Sequence, residues 1–169
     1  LYLYFKSKEE LFNAIIERHM RTLSRRLRQA MKAAGDPLEK IRSNTAIFLD
    51  YFDEHRAVFR IFYTAEPGGR AHLASNLRGQ ALRDYLAIRR LEVRVLKQAQ
   101  AAGRIRTDLP AEELNEFMHG LALTTLARWS LAPRPPDKPQ RLKLLWGFIA
   151  RGLGAGGPRA MKRHRSLRR

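Results

Sequence analysis

Leu1-Tyr2-Leu3-Tyr4-Phe5-Lys6-Ser7-Lys8-Glu9-Glu10-Leu11-Phe12 opens the chain, and the reading of this stretch decides the fold. Ser7 followed three residues later by Glu10 is a capping box: the hydroxyl accepts from the backbone N–H of Glu10, and the carboxylate reaches back to that of Ser7. The spacing therefore predicts a helix starting at Lys8. Ahead of it, Leu1 to Phe5 is aromatic and aliphatic, with two tyrosines two apart and Lys6 and Lys8 just beyond. A hydroxyl-bearing tip flanked by lysines suits a phosphate backbone.

Working outward, Leu11, Phe12, Ile15, Ile16, Leu23, Leu27 and Met31 recur at three, four and seven residues, one face of a helix that Gly35 ends. Arg18, Arg21, Arg25, Arg26 and Arg28 lie mostly off that face and read as a solvated surface. Asp36-Pro37-Leu38-Glu39 supplies a second capped start, with proline where its missing N–H costs nothing. Leu38, Ile41, Thr45, Phe48, Leu49 and Phe52 form the buried face of the helix that follows. Ala57 to Tyr63 is apolar nearly all round; it reads as helix, since no segment offers a partner strand.

Glu66-Pro67-Gly68-Gly69 is a loop. Arg70 to Ala102 carries the longest periodic stripe, through Leu73, Leu77, Ala81, Tyr85, Ile88, Leu91, Val95 and Ala99. At ~1.5 Å per residue it would span about 50 Å, more than a small bundle needs, so fraying or a break near Gly79 is expected. Gly103 closes it. Ala111 to Leu131 has a wide apolar arc, and Asp137, with Gln140 three residues on, caps a last helix through Leu153. The fold expected is all-α.

Composition narrows the alternatives. The 169 residues are 44% hydrophobic, enough for a core, and contain no cysteine, which excludes disulfides, thiolate zinc sites and cysteine nucleophiles. No apolar run approaches the ~20 residues of a membrane span. The net charge is +17, and residues 151–169 hold seven basic groups and no acid, the pattern of a solvated tail that attracts polyanions. Asp50, Asp53, Glu54 and His55 crowd a helix end but spread around its circumference, which argues against a metal site. Glu116-x-x-His119 has the spacing of a di-iron bundle ligand pair, yet it occurs once where two copies and two further glutamates are required. Neither a phosphate loop nor a nucleophile elbow is present, so no enzyme, metal or cofactor is expected.

Phe48, Phe52, Phe59, Phe62, Tyr63 and Tyr85 come from three consecutive helices, with Phe117, His119 and Leu121 from a fourth. Such a set builds either an ordinary core or an aromatic-lined cavity for a small apolar or amphipathic molecule. Leu123, Leu126 and Trp129 on one helix and Leu142, Leu145, Trp146 and Ile149 on the next are what a subunit would bring to a two-fold four-helix bundle.

The opening pattern Leu-Tyr-x-Tyr-Phe-x-Ser-Lys-Glu-Glu-Leu-Phe resembles the junction between recognition helix and following helix in the tetracycline-repressor (TetR/AcrR) family of bacterial transcriptional regulators. The later layout is similar to that family's C-terminal body. The resemblance implies a ligand-responsive repressor: a remnant of the helix-turn-helix domain over 1–12, a ligand-binding and dimerisation bundle over 13–153, and a basic tail over 154–169. It implies that the start of the DNA-binding head precedes Leu1, so that the chain is a fragment. Operator DNA would be met by Tyr2, Tyr4, Lys6 and Lys8, with Phe5 packing inside the head. It further implies an effector cavity among the central helices, a cytoplasmic homodimer and no membrane association. One departure stands out: the family places an acid immediately before the proline leading into its dimerisation helices, whereas here Leu109 precedes Pro110 and Asp108 comes one residue earlier. Two other functions fit the composition, a helical homodimeric module whose basic tail binds nucleic acid non-specifically and a bundle metalloenzyme.

Overall fold

A computed structural model describes residues 7–65, 77–134 and 136–154. Every regular element among them is helical: α1 (Lys8–Lys32), α2 (Pro37–Glu54), α3 (Arg56–Ala65), α4 (Gly79–Ala101), α5 (Ala111–Leu131) and α6 (Lys138–Gly152). Three of the six starts are the ones the spacing predicts. Ser7 accepts from Glu10 N, Asp36 from Leu38 N and Glu39 N, and Asp137 from Gln140 N, so each helix has an orphan donor satisfied by its own preceding residue.

The long periodic stripe behaves differently. Leu77 and Arg78 are not helical, and α4 begins at Gly79, where φ is +52. A left-handed residue at that point separates the helix from what comes before. The helix is therefore 23 residues, about 35 Å, instead of the ~50 Å implied by an unbroken stripe. At its other end Gly103 (φ +63) closes a Schellman motif, with Arg104 N bonded to Ala99 O at 2.9 Å and Gly103 N to Gln100 O at 3.0 Å. The segment after it is pinned to the end of α6: Arg106 N donates to Leu153 O at 2.8 Å. The displaced acid of this connector does not cap α5. Pro110 occupies the cap position without a side-chain bond, and Asp108 is held by Arg106 at 2.5 Å.

α1 lies against α2 and α4, α4 against α5, α3 against α5, and α6 against α2. Their shared core runs from Ile16, Met20, Leu23, Leu27 and Met31 of α1 to Leu145 and Ile149 of α6. Each large apolar side chain buried there contributes roughly 1.5–3 kcal/mol. Polar side chains fix the helix register around it. Arg141 of α6 is buried, pairs with Asp53 of α2 and places its guanidinium 5.7 Å from the Trp129 ring centroid. Arg56 donates to the carbonyls of Trp129 and Ala132 at the end of α5.

Candidate ligand cavity

A cavity of about 60 Å³ lies inside the bundle, lined from α1, α2, α4, α5 and α6. One α1 face supplies Met20, Leu23, Leu27 and Met31; α2 adds Asn44 and Phe48; α4 adds Tyr85, Arg89 and Glu92. From α5 come Asn115, Met118 and His119. A single water needs ~10–15 Å³ by this kind of measure, so the space takes roughly four or five water-sized groups. Three methionines in the wall can shift to admit something larger, because an unbranched thioether repacks with little strain.

The wall is mostly apolar, with Ser24 on α1 and a polar band across α2, α4 and α5. Asn44 Nδ2 donates to Glu92 Oε1 at 2.9 Å. Burial raises the Glu92 pKa above the usual carboxylate value, although Asn44, Arg89 and Asn115 pull the other way. Glu92 Oε2 and Asn44 Oδ1 are both buried without a hydrogen bond of normal geometry, the Asn115 amide being the group nearest to supplying one to Glu92. Arg89 and Asn115 join α4 to α5, each donating to the other's backbone carbonyl at 3.4 Å. Arg89 also pairs with Glu116 at the rim. Tyr85 Oη lies 3.5 Å from His119 Nδ1, and the donor depends on the imidazole tautomer. Burial, reinforced by the positive charge of Arg89, lowers the His119 pKa to about 3, so this ring is neutral at physiological pH. Burial raises the Tyr85 phenol above its ordinary value.

Of the aromatic set read from sequence, Phe48, Tyr85 and His119 line the cavity. Phe52 and Phe59 do not: they stack on each other at 3.8 Å and 19°, both fully buried, in a neighbouring cluster. Leu121 packs against the core but is not in the cavity wall, and Phe117 is 62% exposed. The helix turns ~100° per residue, so Met118 and His119 face inward while the residue before them faces out. Phe62 and Tyr63 belong to α3, but their side chains lie outside the described residues, as do Tyr2, Tyr4, Lys6 and the side chain of Lys8.

The residues expected at a subunit contact divide in two. Leu126, Trp129, Leu145 and Ile149 are buried by their own chain, whereas Leu123, Leu142 and Trp146 are only partly covered. The strongly exposed apolar side chains of α5 and α6 are Phe117, Leu144 and Phe148. Asp50, Asp53 and Glu54 each face a different cation, Lys138, Arg141 and Arg26. No group of three acidic or imidazole side chains among the described residues is arranged to hold a metal.

The sequence reading missed Asn44, Arg89, Glu92 and Asn115. A signal was present: Glu92 stands four residues after Ile88 and four before Leu96, in register with the buried stripe of α4. An acid on an apolar stripe is either paired across the core or facing a cavity.

Comparison with known proteins gives the class. The chain is 28% identical over 136 residues to the HTH-type transcriptional repressor KstR2 of Mycolicibacterium smegmatis, a match covering 76% of this chain and 61% of that protein. It is 32% identical over 71 residues to the HTH-type transcriptional activator FasR of the same organism, covering 40% and 32%. The matched part thus spans less than two thirds of either curated relative. Among solved structures, the ketosteroid transcriptional regulator KstR2 of Mycobacterium tuberculosis superposes with a TM-score of 0.72 at 23% identity, over 90% of this chain and 76% of that one. A TetR/AcrR-family regulator from Thermobifida fusca gives 0.67 at 18% identity, over 89% and 77%. The fatty acid degradation regulator FadR of Bacillus halodurans gives 0.71 at 17%, over 92% and 78%. No family model matches the chain. In its sequence matches and in its fold the chain is similar to regulators of the TetR/AcrR type, and its described elements are all helical, as expected from the sequence.

Proposed function

We propose that the chain is the effector-binding and dimerising body of a TetR-type repressor that leaves its operator when a small, largely apolar molecule fills the cavity. The observation that carries this reading is the double duty of α1. It begins at the capped Ser7–Glu10 motif, directly after the residues proposed to touch DNA, and one turn after another of its inner face forms the cavity wall. A ligand larger than the resting space has to part α1 from α4. Packed interfaces resist continuous deformation, so the shift would select between discrete tilts of α1, by no more than the ligand's differential affinity for them.

On this reading residues 1–12 end the DNA-binding head, with Tyr2, Tyr4, Lys6 and Lys8 on the operator; 13–153 form the body, and 154–169 a basic tail. The partly covered residues of α5 and α6, together with exposed Phe117, Leu144 and Phe148, form the surface a second copy would cover. No described helix is long and apolar enough to cross a membrane. The site of action is the cytoplasm, where the DNA is. The repressor assignment follows the broader of the two sequence matches.

A mobility-shift titration tests it, using the gene product purified from its own host and DNA from upstream of its own gene. A sequence-selective complex that dissolves on adding a lipophilic extract of the host is the expected result. Equal retention of unrelated DNA, falling steeply with salt, would instead support the non-specific nucleic-acid module.

A further inference from the structure

Two buried oxygens on neighbouring residues of the cavity wall lack a hydrogen bond of normal geometry, although the Asn115 side chain lies near enough to Glu92 to favour its charged form. Glu92 Oε1 takes the amide of Asn44, which leaves Glu92 Oε2 and the Asn44 carbonyl oxygen unsatisfied on residues that both face the cavity. Leaving such acceptors bare in an apolar interior is costly, since a buried polar group retains its desolvation penalty until something bonds to it. Whatever fills the cavity therefore meets a largely apolar surface from α1, interrupted by Ser24, and a pair of acceptors on α2 and α4. A hydrocarbon would satisfy the first and strand the second. A cation is disfavoured by Arg89, whose guanidinium shares the wall and already adds to the low His119 pKa.

Resting on the effector-cavity reading above, we propose that Asn44 and Glu92 form a hydroxyl-recognition subsite, so that the effector is an apolar molecule carrying a neutral O–H group directed at this pair. The hydroxyl donates to the Asn44 carbonyl or to Glu92 Oε2, and it accepts in turn when Glu92 is protonated. Arg89 and Asn115 position the subsite by tying α4 to α5 at the same level. Because α2 and α4 carry the acceptors while α1 supplies Met20, Leu23, Leu27 and Met31 to the wall, hydroxyl recognition places the apolar part of the ligand against α1.

Phenol and toluene are a suitable probe pair, nearly equal in shape and differing by one donor. Met20, Met31 and Met118 line the cavity, so their methyl NMR signals report occupancy directly. Both probes should move these signals. The phenol-to-toluene affinity ratio should exceed the pair's water-to-hexadecane partition ratio by about tenfold or more, the expected effect of hydrogen bonding to a buried charged or polar acceptor. In Asn44→Leu/Glu92→Leu, toluene binding should persist and the ratio should fall to the alkane value.

A wild-type ratio equal to the alkane value overturns the subsite, as when a water serves the two oxygens, while the effector cavity survives because toluene still shifts the methyls. If neither probe moves them, the cavity reading itself falls and takes the subsite with it. The wild-type ratio decides the question even where the double variant fails to fold, and Glu92→Gln, which keeps an acceptor, should retain most of the preference.

Discussion

α2 serves two clusters one helical turn apart, and they differ in how their polar atoms are satisfied. On one side Tyr51 and Phe52 enter a closed cluster with His19 and Phe59. Tyr51 Oη donates to the His19 carbonyl at 3.0 Å, so the 2.8 Å contact with His19 Nδ1 requires that nitrogen to carry the proton. The His55 ring lies 4.6 Å from that of His19, and Arg26 sits over the Tyr51 ring at 5.1 Å. On the other side Asn44 and Phe48 enter the open cluster, where space remains and two acceptors lack a hydrogen bond of normal geometry. The same helix thus links α1 to α3 through packed rings at one level and borders, with α1, the cavity at the next. The closed cluster is where truncation should cost most stability, and the open one is where the proposed effector would be recognised.

The contrast is sharpest for the two phenylalanine truncations. Phe59→Ala removes a ring with 0% exposure stacked at 3.8 Å on Phe52, and it should cost about 3–5 kcal/mol in urea-unfolding experiments. Phe48→Ala should cost clearly less, about 2 kcal/mol, because its ring already borders empty space and is only partly buried. Equal losses would remove the distinction between the clusters.

The second test is pH. His119 has a folded-state pKa near 3, against 6.5 for an ordinary imidazole, so the unfolded chain takes up the proton first. Its contribution is fully present above pH ~6.5 and is lost as pH falls toward 3, on the order of 3 kcal/mol by pH 4. His19 is shifted the same way, by burial and then by His55, and adds to this acid limb. Glu92, raised by burial, acts oppositely: its contribution is present below the ordinary carboxylate pKa and lost as pH rises through the folded value. His119→Leu should flatten the acid limb of the stability curve measured by thermal melts from pH 4 to 8. An unchanged limb would place the acid sensitivity elsewhere.

Tyr51→Phe should destabilise by about 1–2 kcal/mol, since it strips a partner from His19 Nδ1 and from a partly buried carbonyl. Smallest of all, Glu54→Gln breaks the half-exposed pair with Arg26 and should change stability by under about 0.5 kcal/mol, measured as a midpoint shift at constant m.

How much could be read without coordinates follows from the range of the forces. Ser7–Glu10, Asp36–Glu39 and Asp137–Gln140 satisfy backbone donors within three residues, so their order along the chain suffices to place three helix starts. Gly103 closes α4 for an equally local reason. The aromatic set was harder. Phe48, Phe52 and Phe59 share one chemistry and a helical spacing, yet only Phe48 reaches the cavity, because the packing of α3 on α5 takes Phe59, and its partner Phe52, into the closed cluster.

What this sequence determined by itself is the helical punctuation and the apolar faces, which are matters of neighbours along the chain. Only the tertiary structure brought Asn44, 48 residues away in sequence, onto Glu92 and left their outer oxygens bare beside α1. That pairing depends on where α2, α4 and α5 cross, which helix periodicity does not encode.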